Sequence, residues 1–137
     1  MIFSKKNIDD KNDNFIKVSA LLIHAAKIDE NYSLKEEEII RKTLLEIGAN
    51  SDDLNKIIEK GKQAEENSNQ ILTFTKEVKS MEEKKKIKII EALWTIIYSN
   101  NEADIYETGL MRRLAGLLYI DSKLMGDIKE RIKNKNS

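Results

Sequence analysis

The chain has 137 residues, 40% of them hydrophobic and 35% charged, which suits one folded domain and neither a disordered nor a membrane chain. Its 24 Lys plus Arg balance 24 Asp plus Glu, which argues against a protein built to coat nucleic acid. Cysteine and proline are absent and His24 is the single histidine, which excludes disulfides, thiolate metal sites, thiol catalysis and any multi-histidine centre. Helical spacing then runs along the whole sequence. Phe15, Val18, Leu22 and Ala25 form a first stripe. Ile40, Leu44 and Ile47 form a second, stopped by Gly48. Leu54, Ile57, Ile58 and Gly61 form a third, with Ser51 and Asp52 as candidate caps. A shorter helix holds Ile71, Phe74 and Val78. The most apolar segment carries Ile87, Ile90, Leu93, Trp94 and Ile97. Leu110, Leu114, Leu117 and Leu118 follow, then Leu124, Ile128 and Ile132.

Three joints carry the same signature. Ser33 stands three residues before Glu36, Ser80 before Glu83, and Asp104 before Glu107. Each pair reads as a capping box, in which the first side chain accepts from an orphan backbone N–H and the Glu reaches back. Helix starts are predicted near residues 34, 81 and 105. Glu37 with Arg41, Glu38 with Lys42, and Glu82 with Lys86 are spaced for solvent-facing ion pairs. The run Lys84, Lys85, Lys86 and Lys88 reads as a solvated helix face, and Lys129, Arg131, Lys133 and Lys135 as cations suited to a helix C-terminus.

A duplication underlies the pattern. The segment LLIHAAKIDENYSLKEEEII is matched 71 residues later by ALWTIIYSNNEADIYETGLM. Leu22 falls on Leu93, Ala26 on Ile97, Asp29 on Asn100, Glu36 on Glu107 and Ile39 on Leu110. The expectation is an all-α fold of about seven helices, a compact pseudo-symmetric bundle built from a duplicated helix–loop–helix. Residues 1–137 form one domain, with 1–13 read as a flexible lead and 133–137 as a frayed tail. The N-terminus MIFSKKNIDDKNDN turns acidic at once and lacks the apolar run of a signal peptide, and no stretch is long enough to span a bilayer. The expected location is the cytoplasm, with no direct membrane insertion.

This layout resembles the TerB-like family of tellurite-resistance proteins, in which an alanine-rich helix runs into an Asp-Gly loop and then a Glu at a helix start. The second copy, YETGLMRRLAGLLYI after NNEAD, is similar to an uncharacterised bacterial branch of that family. The likeness covers roughly residues 16–130. Glu30 and Asn101 stand where the family pattern has Gly, and Asn100 where it has the second Asp. The resemblance implies a seven-helix fold and a link to tellurite or stress resistance.

Asp29, Glu36, Glu102, Asp104 and Glu107 are the candidate metal ligands, since clustered carboxylates suit hard cations such as Ca2+ or Mg2+. The resemblance adds weight to that reading. The competing reading is structural, because capping and side-chain turns use the same residues. Neither loop has the EF-hand spacing. His24, set among apolar residues with no nucleophile motif near it, reads as a core or edge histidine. Trp94 and Tyr98 lie one turn apart. Core packing of Trp94 with a half-exposed Tyr98 is one reading, and an aromatic anchor for a partner is the other. Tyr98 and Tyr106 are the candidate partner-binding residues. The sequence therefore points to a non-enzymatic interaction domain with no resident cofactor, acting through protein partners and not nucleic acid, with self-association left open. The alternative is a divalent-cation-binding regulatory module.

Overall fold

The computed structural model describes residues 2–28, 34–68, 71–99 and 105–135, and the side chains of all of these except 2–11 and 105–107. Seven α-helices run in chain order: α1 (Ile2–Lys27), α2 (Leu34–Glu46), α3 (Leu54–Glu66), α4 (Leu72–Lys79), α5 (Glu83–Tyr98), α6 (Ile105–Leu117) and α7 (Ser122–Lys135). A single 3-10 turn, Ser51–Asp53, leads into α3. No strand occurs among the described residues. The protein is all-α. No helix is long and apolar enough to cross a membrane among the described residues.

The predicted stripes become the core. Val18, Leu21, Leu22, Ile40, Leu44, Ile57, Val78, Ile89, Ile90, Leu93, Ile97 and Leu114 are completely buried. Phe15, Ile87, Leu117 and Leu124 pack on this core from its edge. α1 packs against α2, α3, α4 and α5, and α5 packs in turn against α2 and α7. These two helices are central because they are apolar over most of their girth: α5 buries Ile89, Ile90, Ala92, Leu93, Trp94, Ile96, Ile97 and Tyr98. α1 extends back to Ile2, well upstream of the stripe that begins at Phe15.

Helix ends show which signals were read correctly. Gly48 has φ +112°, the left-handed conformation that a glycine adopts without steric cost, and α2 stops there. α2 and α6 are helical from Leu34 and Ile105, the first described residues after their joints. Ser33 and Asp104 themselves lie outside the described residues. Two cap assignments change. Ser80 does not start α5: its hydroxyl donates to the Glu77 carbonyl at 2.9 Å and closes the end of α4, so α5 begins only at Glu83. Ahead of α3 the capping side chain is Asn50, which accepts from the Asp52 N–H at 3.0 Å, rather than Ser51 or Asp52. The short polar side chain one residue earlier reaches the orphan donor better.

Two helix ends keep the 71-residue spacing: adding 71 to Glu46, the end of α2, gives Leu117, the end of α6, and adding 71 to Lys27, the end of α1, gives Tyr98, the end of α5. The terminating hydrogen bonds recur too. In α2, Ile47 N–H donates to Thr43 at 3.0 Å and Ala49 N–H to Leu44 at 2.9 Å; in α6, Leu118 donates to Leu114 at 2.8 Å and Ile120 to Ala115 at 2.9 Å. Tyr119, 71 residues after Gly48, takes the left-handed position with φ 56°. A tyrosine there is strained relative to glycine, and Lys79 Nζ sits 4.3 Å from its ring centroid.

α1 and α3 meet at small residues. A Cβ added at Gly61 would stand 2.4 Å from Ser19 Oγ, 2.8 Å from Ser19 Cβ and 3.3 Å from the Ala20 nitrogen. Ser19 Oγ is fully buried there and has no hydrogen-bond partner among the described residues. A buried hydroxyl with no partner costs about 1–3 kcal/mol of desolvation. Ser19→Ala is therefore expected to raise stability by about 1 kcal/mol, read as a higher urea midpoint with unchanged slope. A lower midpoint would show that the hydroxyl is satisfied.

Candidate functional site

The residues singled out from the sequence do not converge on one described site. Asp29, Glu102 and Asp104 lie outside the described residues, and Glu107 and Tyr106 lie in the first turn of α6, whose side chains are not described. Glu36, in the first turn of α2, is 2% exposed. Among the described residues no three His, Asp or Glu side chains are grouped as a metal would need. Tyr98 is 6% exposed rather than half-exposed, because its ring stacks on Trp94 with centroids 5.9 Å apart and planes 23° apart.

Two lysines of the α5 run tie it to neighbouring elements. Lys88 Nζ lies 3.2 Å from Glu46 on α2, and Lys86 Nζ donates to the Leu118 carbonyl at 3.3 Å beyond α6. Near the other end, Arg131 on α7 reaches Glu91 on α5 at 3.0 Å.

His24 belongs to a clamp between α1 and α3. Its Nδ1 lies 3.2 Å from Glu65 Oε2, and Lys27 Nζ donates to Glu65 Oε1 at 2.6 Å. Burial opposes ionisation of Glu65, yet the Lys27 and His24 hydrogen bonds and charges outweigh it and hold the carboxyl below its ordinary value of 4.5. The sign follows directly. A depressed carboxyl contributes stability above its unfolded value and loses it as pH falls through the folded value. Acid unfolding is therefore expected to steepen below pH 4.5. Glu65→Gln should be less stable than the parent near neutrality, and the difference should shrink as pH falls through the folded value. A difference independent of pH would mean that Glu65 acts through packing alone.

Among the described residues a cleft lies between α5, α6 and α7. It has a volume of about 470 Å³ and is open to solvent on one side. Trp94, Met111, Ile120 and Met125 give it an apolar lining, and Arg112 and Lys129 bring the charge. The Trp94 indole N–H donates to Met125 Sδ at 3.3 Å, and Lys129 Nζ lies 5.6 Å from the indole ring. Methionines suit a surface that adapts to what it meets. No Asp or Glu lines the cleft among the described residues. Gly116 on α6 and Gly126 on α7 also line it, and a Cβ at either would meet nothing within 4 Å. Gly126 sits inside α7, where glycine costs about 1 kcal/mol relative to alanine.

The 71-residue sequence offset sets residues of this cleft beside residues of α2 and α3. Position for position, Leu45 corresponds to Gly116, Asn55 to Gly126 and Ile58 to Lys129. α2 and α3 in the first copy touch only lightly, and α6 and α7 in the second touch no more than that among the described residues. Sequence reasoning left Trp94 between core packing and a partner anchor and read α6 as a plain apolar stripe, and so did not locate the cleft. The signal was present as glycines at repeat positions that hold larger residues in the first copy.

The family model described as tellurite resistance protein TerB matches residues 15–130. No curated protein and no solved structure matches the chain.

Proposed function

The chain belongs to the TerB family, and from that premise we propose that it is a non-enzymatic helical interaction domain that supports stress or tellurite resistance through a protein partner docked in the α5–α6–α7 cleft. The observation that carries this reading is the cleft itself: an apolar floor on Trp94, adaptable methionines, basic residues beside them and glycines that keep the opening clear. The lining offers recognition chemistry, with an apolar floor and two cations and no carboxylate among the described residues, which supports a binding role. Cytoplasmic action without a resident cofactor completes the proposal.

Complementation tests it. A deletion strain is expected to be sensitised to tellurite or oxidative stress and to be rescued by the parent protein. Gly116→Trp, whose side chain would enter open space and fill the cleft, should fold and melt normally but fail to rescue. Full rescue by the filled variant would remove the cleft as the working surface, and an unsensitised deletion strain would remove the stress link.

A further inference from the structure

We infer that the occupant of this cleft is an acidic segment of a partner polypeptide, with a bulky apolar side chain among its carboxylates. The inference rests on the docking reading above and deepens it. Its ground is a comparison of the two copies. In the first copy, two polar bridges tie α2 to α3. Arg41 Nη2 donates to Asn55 Oδ1 at 2.6 Å, and Lys62 Nζ lies 3.2 Å from Glu37 Oε1. Adding 71 carries the donors Arg41 and Lys62 onto Arg112 and Lys133, so both cations are kept. The acceptors are not. Asn55 becomes Gly126, and Glu37 becomes Thr108, so the amide and the carboxylate that close the first copy are missing from the second.

One cation is also added, because Ile58, buried in the first copy, becomes Lys129. The second copy thus keeps the cationic half of each bridge and has lost the acceptor half. Chemistry that completes it must supply acceptors, and beside added positive charge a carboxylate is the acceptor that also balances the charge. Arg112 offers a planar fork that takes a carboxylate through two parallel hydrogen bonds. Lys129 lines the cleft, and Lys133 follows it one turn on along α7, about 6 Å further along the axis, so one small anion in the cleft does not serve both and successive acidic residues that run on past it do. The apolar partner of those acids is set by Trp94, Met111, Ile120 and Met125, which present a hydrophobic floor beside the cations.

The test uses the full chain and two labelled helical peptides of fourteen residues. Both carry leucine at positions 3, 6, 7 and 10. One has glutamate and the other lysine at the remaining charged positions, and dodecanoate serves as a free amphipathic anion. The glutamate peptide is expected to bind, to shift the Trp94 indole resonance, and to weaken at least tenfold against Arg112→Glu. The double change Thr108→Glu with Gly126→Asn restores the acceptors of the first copy. It should raise the melting temperature and weaken the glutamate peptide at least tenfold. Equal binding of the lysine peptide, binding of dodecanoate alone, or undiminished glutamate-peptide binding to both variants would overturn the inference. So would a cleft occupied only by a second copy, seen as a concentration-dependent dimer that excludes the peptide. If Gly116→Trp abolishes rescue in cells while the protein ignores peptide charge, the docking reading stands and the acidic occupant falls. If Gly116→Trp rescues fully, the docking reading falls whatever the peptides do.

Discussion

Trp94→Ala is expected to lower the unfolding free energy by about 3 kcal/mol, the lower end of the range for removing a buried tryptophan. The ring is 2% exposed. It stacks on Tyr98, donates to Met125 and so joins α5 to α7, a pair that packs extensively. Truncation removes the stacking, leaves Tyr98 with an uncovered face and deletes one side of the α5–α7 contact. The lower end applies because Trp94 also borders the open cleft, where Met125 can move into part of the space that is left. Trp94→Phe should cost less, since the ring face is kept and only the indole N–H and some volume are lost. Urea unfolding reads both changes. A Trp94→Ala midpoint that hardly moves would mean that the indole carries little of the α5–α7 packing.

The second large effect is expected at Gly61. In a helix interior, Gly→Ala ordinarily gains about 1 kcal/mol. Here the sign reverses. The new methyl would lie 2.8 Å from Ser19 Cβ and 3.3 Å from the Ala20 backbone, and neither belongs to a flexible side-chain end. α3 must then move off α1 along a fully buried seam that includes Val18, Leu22, Ile57 and Ile58. Overpacking of this kind costs about 1–3 kcal/mol, so a net loss of roughly 1–2 kcal/mol is expected after the propensity gain. Moving the small residue to the other helix, as Ser19→Gly with Gly61→Ala, should recover part of the loss, because the Ser19 contacts disappear while the Ala20 contact stays. A Gly61→Ala protein more stable than the parent would contradict the close crossing of α1 and α3.

Much of this architecture was legible in advance, for identifiable reasons. Apolar periodicity located all seven helices because each buries one continuous stripe, as Ile40, Leu44 and Ile47 do on α2. Gly48 announced a stop because its conformational freedom is a property of the residue alone. Tyr119 occupies the corresponding position with nothing in its chemistry to announce it. Only the offset from Gly48 could have pointed there. Ser80 was misassigned because a serine before a glutamate serves a helix start or a helix end equally well, and the Glu77 carbonyl settled which. Gly61 was counted with an apolar stripe, although its role depends on how near Ser19 comes, a tertiary fact.

The cleft was the least legible feature for the same reason. It is formed where α5, α6 and α7 meet, and no local pattern encodes how three helices meet. The duplication does carry a trace of it, since Gly116 and Gly126 replace Leu45 and Asn55. The sequence directed attention instead to the acidic joints, where charge is concentrated. Of those residues the structure describes in full only Glu36, buried in the first turn of α2.

The docking role of the cleft can be measured directly by site-specific photo-cross-linking in cells. A benzophenone side chain placed at Ser122, on the cleft wall, is compared with one at Glu59, exposed on α3. The account predicts one dominant protein adduct from position 122, absent when Gly116→Trp fills the cleft, and no such adduct from position 59. Equal adducts from both positions, or an adduct at 122 that survives Gly116→Trp, would contradict it.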